Sequence, residues 1–477
     1  MDIIFLTLAG AASCAFSLIA VCHALLMKRD PRSALGWITV SLTLPLIGPL
    51  LYWIMGINRI SRRARKWQKS GRRLAGRDVF QVFPQDTLTP ALLADTSHLR
   101  ELRSLSDLVV SSPLITGNRL TPLHNGDQAY PAMLQAIADA RSSVHLSTYI
   151  FDGDTTGRRF IDALRNAADR GVEVRVLVDG LGEKYSFPTA RKLLHGSSVA
   201  VSRFLPMRQG GYLNLRNHRK ILVVDGVTAF TGGMNIGGRH MVAQAETRFP
   251  VADLHFKVDG PVVADLQRVF LEDWYFATGV LLDDERFFAP QRESGTSLVR
   301  IIADGPDKEF RKLHWIIMGA LSCAESRIRI MTPYFIPDRA LVSAMATTAM
   351  RGIDVSLILP SVNNLPLVHW ATRSYLWELL QCGIRIFYQP PPFAHTKLFL
   401  VDGLWSMIGS ANLDPRSLRL NFELNLEIYD QEMTGALERE FMETLACSRE
   451  VSLDEMDARP LREKIRDGAA KLFSPYL

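Results

Sequence analysis

Two stretches of this chain set the same five residue types at the same intervals. His218-x-Lys220-x4-Asp225 is followed by Gly232, Gly233 and Asn235; His395-x-Lys397-x4-Asp402 is followed by Gly409, Ser410 and Asn412. In both, the Lys, Asp and Asn lie 2, 7 and 17 residues after the His. With each residue type at roughly one in twenty, a single match is expected by chance in about one chain of this length in ten thousand. An imidazole, an ammonium and a carboxamide brought together twice suit an anionic phosphoryl group. One histidine would attack it and the other would move protons. His and Lys two residues apart on a strand share a face and reach one phosphate together. The small residues Gly233 and Ser410 sit in the turn that follows, where glycine permits close backbone approach. Asn235 and Asn412 can donate N–H to phosphate oxygens. Asp225 and Asp402 count with the catalytic motif, but a carboxylate aimed at a phosphate would repel it. They are therefore expected to face away and brace a strand end or turn.

The elements that must position these residues also occur twice. Gln128 to Ala140 has helical periodicity, Ser143 to Phe151 reads as a strand, Gly157 to Arg170 as a helix closed by Gly171, and Val172 to Val178 as a buried strand. The second half repeats the order with Trp315 to Ala324, Arg327 to Phe335, Arg339 to Met350 and Ile353 to Leu359. Thr148-Tyr-Ile-Phe151 parallels Thr332-Pro-Tyr-Phe335, and Arg170-Gly-Val-Glu-Val174 parallels Arg351-Gly-Ile-Asp-Val355. Each motif then opens a further strand, Ile221 to Val224 or Leu398 to Val401. The fold class is α/β, in two pseudo-symmetric halves at about 111–290 and 291–477 that form one site. Periodicity leaves open whether they share a sheet or form separate domains.

Before these halves, Ile3 to Met27 is 25 residues without a charge and Ala34 to Ile57 a further 24, against about 20 for a bilayer crossing. Residues 1–58 are expected to form a transmembrane helical hairpin, with spans at about 3–27 and 34–57. A cleavable signal peptide fits the first run less well, because it lacks a basic leader and a second apolar run follows. Pro45, Gly48 and Pro49 leave open a kinked or re-entrant second segment. A basic juxtamembrane segment and linker (59–110) comes next. Arg59, Arg62, Arg63, Arg65, Lys66, Lys69, Arg72 and Arg73 include no acid among them, and without these eight the net charge of +6 falls to −2. The body is thus near neutral, which argues against nucleic acid as a partner. The cluster suits anionic lipid and the cytoplasmic side of a membrane, with the body on that side. The five cysteines form no ligand or disulfide pattern.

The doubled motif resembles that of the phospholipase D superfamily. More narrowly, the chain is similar to the bacterial cardiolipin synthases of that superfamily. The narrower likeness rests on Pro31-Arg-x-Ala34-x-x-Trp37, on Pro45-x-x-Gly48-x-x-x-Tyr52-x-x-x-Gly56-x-Asn58-Arg59, and on Gly409-Ser-Ala-Asn-Leu-Asp-Pro-Arg-Ser417 with Asn421-Phe-Glu423-x-Asn425. The closing Leu472-Phe-Ser-Pro-Tyr-Leu477 fits as well. The resemblance implies a multi-pass enzyme of the bacterial inner membrane that needs no cofactor and no metal. Its reaction would transfer a phosphatidyl group between two phosphatidylglycerols through a phosphatidyl-histidine. His218 would be the nucleophile and His395 the acid and base, while Lys220, Lys397, Asn235 and Asn412 stabilise the transition state. It also implies that an acid downstream of each motif orients a histidine of the pair. Asp253 and Glu423 stand where those acids belong, though the tryptophan often found just before the first is missing. A hydrolase using water as acceptor, an endonuclease and a non-catalytic lipid-binding scaffold are the competing classes. Oligomeric state, a homo-oligomer included, stays open.

Overall fold

The computed structural model describes residues 2–28, 31–57, 97–205, 215–245, 247–282, 285–290, 292–305, 311–474 and 477. The basic cluster Arg59 to Arg73 lies outside them. The described residues fall into an N-terminal helical unit and an α/β body.

In the N-terminal unit the first apolar run is one helix, Asp2–Met27. At about 1.5 Å per residue it spans roughly 39 Å, enough for a bilayer core, and Gly10–Met27 is its most apolar window. The second run is broken. Pro31–Thr43 is helical, Leu46 takes a left-handed φ of 72°, and Ile47–Leu51 resumes as a short helix that continues into the wider turn Tyr52–Gly56. Pro45 lacks the N–H a continuing helix needs. At Gly48 a Cβ would stand 2.1 Å from the Val40 carbonyl oxygen, so only glycine lets the short helix fold against the longer one. Tyr52 ties the unit together, with its hydroxyl 2.7 Å from His23 Nδ1 and its ring edge-on to Trp37.

The body holds a single continuous sheet of fifteen strands, built from one unit used twice. From the centre outward, the first half runs Ile115–His124, Leu254–Asp259, Thr228–Gly232, Ile221–Val224, Ser143–Thr148, Glu173–Asp179 and Ala200–Phe204. The second half runs Ser297–Asp304, Glu423–Tyr429, Trp405–Gly409, Leu398–Val401, Arg327–Met331, Asp354–Pro360 and Arg385–Gln389. Position by position the pairings agree: the inner four strands of each half are antiparallel neighbours and the outer three are parallel. The halves join where Ile115–His124 runs antiparallel to Ser297–Asp304, with Ile115 opposite Val299 and Asn118 opposite Ser297. Helices Asn125–Asp139 and Thr155–Asp169 close the outer core of the first half, and Lys312–Cys323 and Arg339–Met350 that of the second. A third core runs through both halves, from Val223 and Phe256 to Leu400 and Leu426. Among the described residues, the second half alone adds an edge strand, Arg449–Val451, and the helices Leu453–Asp457 and Leu461–Lys471.

Candidate active site

Each HxK segment approaches the strand that carries its motif, and the opposite half binds it there. The His218 N–H donates to the Phe422 carbonyl at 2.9 Å, and the Phe422 N–H donates to the Arg216 carbonyl at 2.8 Å. Across the pseudo-dyad, Phe393–Ala394 pairs in parallel with Val251–Ala252, and the His395 N–H donates to the Ala252 carbonyl at 2.7 Å. These short pairings carry each half's acid to the other half's histidine. Glu423 Oε2 lies 3.0 Å from His218 Nδ1, and Asp253 Oδ2 lies 2.7 Å from His395 Nδ1. The relation is crossed: the first histidine is served by the second half and the second histidine by the first.

The two settings are not identical. Around His218 Nδ1 both neighbours are acceptors, the Glu423 carboxylate and the Ser410 carbonyl at 3.1 Å. A carbonyl can only accept, so Nδ1 carries the hydrogen and Nε2 presents its lone pair. Glu423 also receives the Ser410 hydroxyl at 2.5 Å and the Asn421 amide at 3.0 Å. Around His395 Nδ1 stand an acceptor, Asp253, and a donor, the Lys397 ammonium at 2.9 Å. Gly233 occupies the place of Ser410, because a Cβ there would meet the Asp253 carboxylate oxygens at 2.4 and 2.5 Å.

Burial sets the charge states. It pushes the His218 pKa down, against the pull of Glu423, and pushes His395 well down with help from Lys397 and Lys220. Both imidazoles are therefore neutral at pH 7 in the empty site. Burial and mutual repulsion bring Lys220 down to about 7, with Glu423 resisting, and burial brings Lys397 down to about 8 against Asp253 and Glu423. The acids diverge. Burial raises the Asp253 pKa, whereas for Glu423 the same burial is outweighed by His218, Lys220 and the Ser410 hydroxyl, which hold it below the ordinary value. The result is a buried cluster rich in donors, with its carboxylates turned to the histidine Nδ1 atoms, suited to a phosphodiester.

Asn235 turns its Oδ1 to the Ile150 N–H at 3.1 Å, which leaves its amide N–H groups for other acceptors. Asn412 hydrogen-bonds Asp414, and its own Oδ1 is buried without a partner among the described residues. Asp225 and Asp402, counted with the catalytic motif from sequence, are not in this cluster. Seven residues of extended chain put them about 23 Å from their histidines. Asp225 accepts from the N–H groups of Arg141, Ser142 and Ser143, and Asp402 from those of Glu325, Ser326 and Arg327. Both take left-handed φ, 53° and 55°, and anchor the strand ends.

Sequence reasoning missed four residues. Tyr149 sets its ring 5.3 Å from that of His218, and Tyr334 lies 6.2 Å from His395. They sit one position apart in the repeated Thr-x-x-Phe string, so alignment of the copies hides their kinship. Arg219, between His218 and Lys220, is buried on the other face of the segment. It donates to Asp273 at 2.6 Å, to the Glu423 carbonyl at 3.1 Å and to the Asp304 carbonyl at 2.9 Å, fixing Glu423 from behind. A charge in a strand covered on both faces was the available signal, since it must find buried partners. Asp179 takes the Asn217 N–H at 2.8 Å, and burial raises its pKa to about 6.

A doubled α/β unit with crossed His–carboxylate pairs and two buried lysines defines a phospholipase D-like phosphotransfer protein. Comparison with known proteins narrows this. The family model described as cardiolipin synthase, PLD-like domain, matches residues 133–274 and 317–445, and the phospholipase D-nuclease N-terminal model matches 15–56. A cardiolipin synthase of Geobacillus sp. (strain WCH70) is 31% identical over 458 residues, 95% of this chain and 90% of the relative. Cardiolipin synthase 2 of Bacillus anthracis is 32% identical over 462 residues, 96% of this chain and 89% of the relative. This chain belongs to the family of phospholipase D-like cardiolipin synthases. The fold is shared with the phosphatidylserine synthase of Haemophilus influenzae Rd KW20, with a TM-score of 0.61 and 14% identity over 79% of this chain and 100% of that one.

Proposed function

We propose that the protein makes cardiolipin from two phosphatidylglycerols, by double displacement at one phosphorus. The phosphodiester anion, once bound beside it, raises the His395 pKa so that the ring takes up a proton; His218 Nε2 then attacks phosphorus, the bond from phosphorus to the glycerol oxygen breaks, and the His395 imidazolium gives its proton to the leaving glycerol. The primary hydroxyl of a second phosphatidylglycerol then gives its proton to His395 and attacks the phosphatidyl-histidine. The P–N bond breaks, His218 is regenerated and cardiolipin departs. Lys220, Lys397 and the amides of Asn235 and Asn412 hold the equatorial oxygens in both steps.

The observation that carries this reading is the crossed, unequal pairing of the histidines. His218 Nδ1 faces two acceptors, one of them an acid held below its usual pKa, which suits a nucleophile that becomes a phosphoimidazolium. His395 Nδ1 faces the Asp253 carboxylate and the Lys397 ammonium, which hold the ring so that its Nε2 is the atom left to give and take a proton. The N-terminal unit would anchor the enzyme in the bacterial inner membrane in more than one pass. The body would stand on the cytoplasmic side, given the charge of segment 59–73.

Purified protein fed phosphatidylglycerol in mixed micelles should release cardiolipin and glycerol in equal amounts. Phosphatidic acid as the main product would assign water as the acceptor instead. During turnover, denaturation without acid should leave a lipid-sized adduct on the peptide containing His218. An adduct on His395 would exchange the two roles.

A further inference from the structure

The helix Leu461–Lys471 is built the wrong way round for a soluble protein. Its inward stripe is Glu463, Asp467, Ala470 and Ser474, and Asp467 is 1% exposed. Its outward stripe is Leu461, Ile465 and, past the helix end, Leu472 and Phe473, exposed by 72, 63, 79 and 55%. A surface helix ordinarily turns its apolar stripe to the core. Here arginines hold the reverse arrangement in place. Asp467 accepts from Arg459 at 2.8 Å and from Arg466 at 2.8 and 3.0 Å, and Glu463 accepts from Arg373 at 2.8 Å. Asp467 is therefore buried, and Glu463, part-exposed at the rim of the face, is held by Arg373. Arg462 and Lys464 are exposed beside the apolar stripe, and Lys471 lies over the Tyr375 ring at its far end. The outer face thus combines large apolar side chains with cations and shows no unpaired acid of its own helix.

Among the described residues this helix has no counterpart in the first half, and it sits beside the site. Ala470 belongs to a small cluster with Ile336, Val368 and Ala371, onto which Leu477 and Tyr334 pack. Tyr334 is the residue whose ring neighbours His395, and its hydroxyl donates at 2.8 Å to Asn364, next to the exposed Leu365.

We propose that the outer face of Leu461–Lys471 with Leu472 and Phe473 docks on the surface of an anionic phospholipid bilayer. The four apolar side chains would enter the boundary between headgroups and acyl chains, and Arg462, Lys464 and Lys471 would lie at the level of the lipid phosphates. The charge pattern selects an anionic surface, and the chain carries its own membrane-length helix, which keeps the body beside a bilayer. Docking there holds the His395 side of the site against the lipid from which both substrates come.

The test uses the full chain with its native cysteines changed to serine and a fluorophore on Ile465→Cys, reconstituted into vesicles. With phosphatidylglycerol vesicles carrying nitroxide acyl chains, emission should fall at least about twofold, and it should fall less with phosphatidylcholine vesicles or at high salt. In parallel, Leu461→Ser/Ile465→Ser/Leu472→Ser should slow turnover of bilayer phosphatidylglycerol by about tenfold. Turnover of a monomeric short-chain phosphatidylglycerol should be unchanged. Absence of nitroxide quenching while cardiolipin still forms would overturn docking and leave the proposed function intact. That result would mean that a second copy covers the face. The quenching stays readable even if no cardiolipin forms, so failure of the functional reading is separable.

Discussion

Replacing Glu423 by Gln removes one charge and changes almost no volume, so its effect isolates what the carboxylate does for His218. The carboxylate is fully buried, lies 3.0 Å from Nδ1, and is bound by Ser410 and Asn421. In the proposed mechanism His218 is neutral before reaction and its ring becomes cationic as the N–P bond forms, so the attraction to Glu423 would develop along the reaction coordinate. Two unit charges with centres about 4 Å apart at an effective dielectric of about 20 attract by about 4 kcal/mol. Solvent screening does not reduce this at a buried site. At about 1.4 kcal/mol per tenfold, Glu423→Gln should lower kcat by about a thousandfold. KM for phosphatidylglycerol should move little, since Glu423 does not meet the ground-state phosphate. The assay is initial-rate cardiolipin formation in mixed micelles, with thermal unfolding as the control. Asp225→Asn is the companion variant: it disturbs a strand-end anchor far from His218, so it should lower Tm and spare kcat. A Glu423→Gln enzyme within about tenfold of the parent would refute the charge argument. An Asp225→Asn enzyme that is stable but inactive would refute the separation of the two carboxylates.

Gly233→Ala should cost about a hundredfold in kcat, because the new methyl must displace the Asp253 carboxylate that holds His395. Activity near that of the parent would mean that Asp253 does not position that ring. The pH dependence follows from the lysines. Lys220 and Lys397 lose their protons at about 7 and about 8 in the empty site, and a bound phosphate anion raises both values again. Substrate binding above neutrality must therefore take up protons. KM should rise with pH from about 7 to 9 while kcat stays flatter. A KM that falls over that range would show that the lysines are already fully charged without substrate.

The repeated letters made much of the body legible. Ile221–Val224, Leu398–Val401 and Arg339–Met350 fall where the periodicity puts them. The strands Ser143–Thr148 and Arg327–Met331 stop short of Phe151 and Phe335, which instead make isolated bridges to Ile236 and Leu413. The joining of the halves into one sheet could not be read. It depends on Ile115–His124 meeting Ser297–Asp304, two runs far apart in sequence with no periodic signal to link them. The site was half legible for a similar reason. His218, Lys220, His395 and Lys397 declare themselves by spacing. Their acids stand 35 and 28 residues downstream, without a common interval, and each serves the histidine in the opposite half. The break in the second apolar run was signalled by Pro45 and Gly48, since a missing N–H and a missing Cβ are readable from sequence alone.

The crossed carboxylates also bear on when the chemistry becomes available as the chain is made. A polypeptide emerging in order displays His218 and Lys220 long before Glu423 exists, so the first histidine has no acid behind it until the second half is made. His395 arrives to find Asp253 waiting, but the strand that carries Glu423 closes the inner sheet only later. In the proposed two-step exchange neither histidine works alone. On the proposed mechanism a truncated or half-synthesised chain would therefore be inactive, and the two crossed His–carboxylate pairs are complete only once the second copy of the unit has folded onto the first.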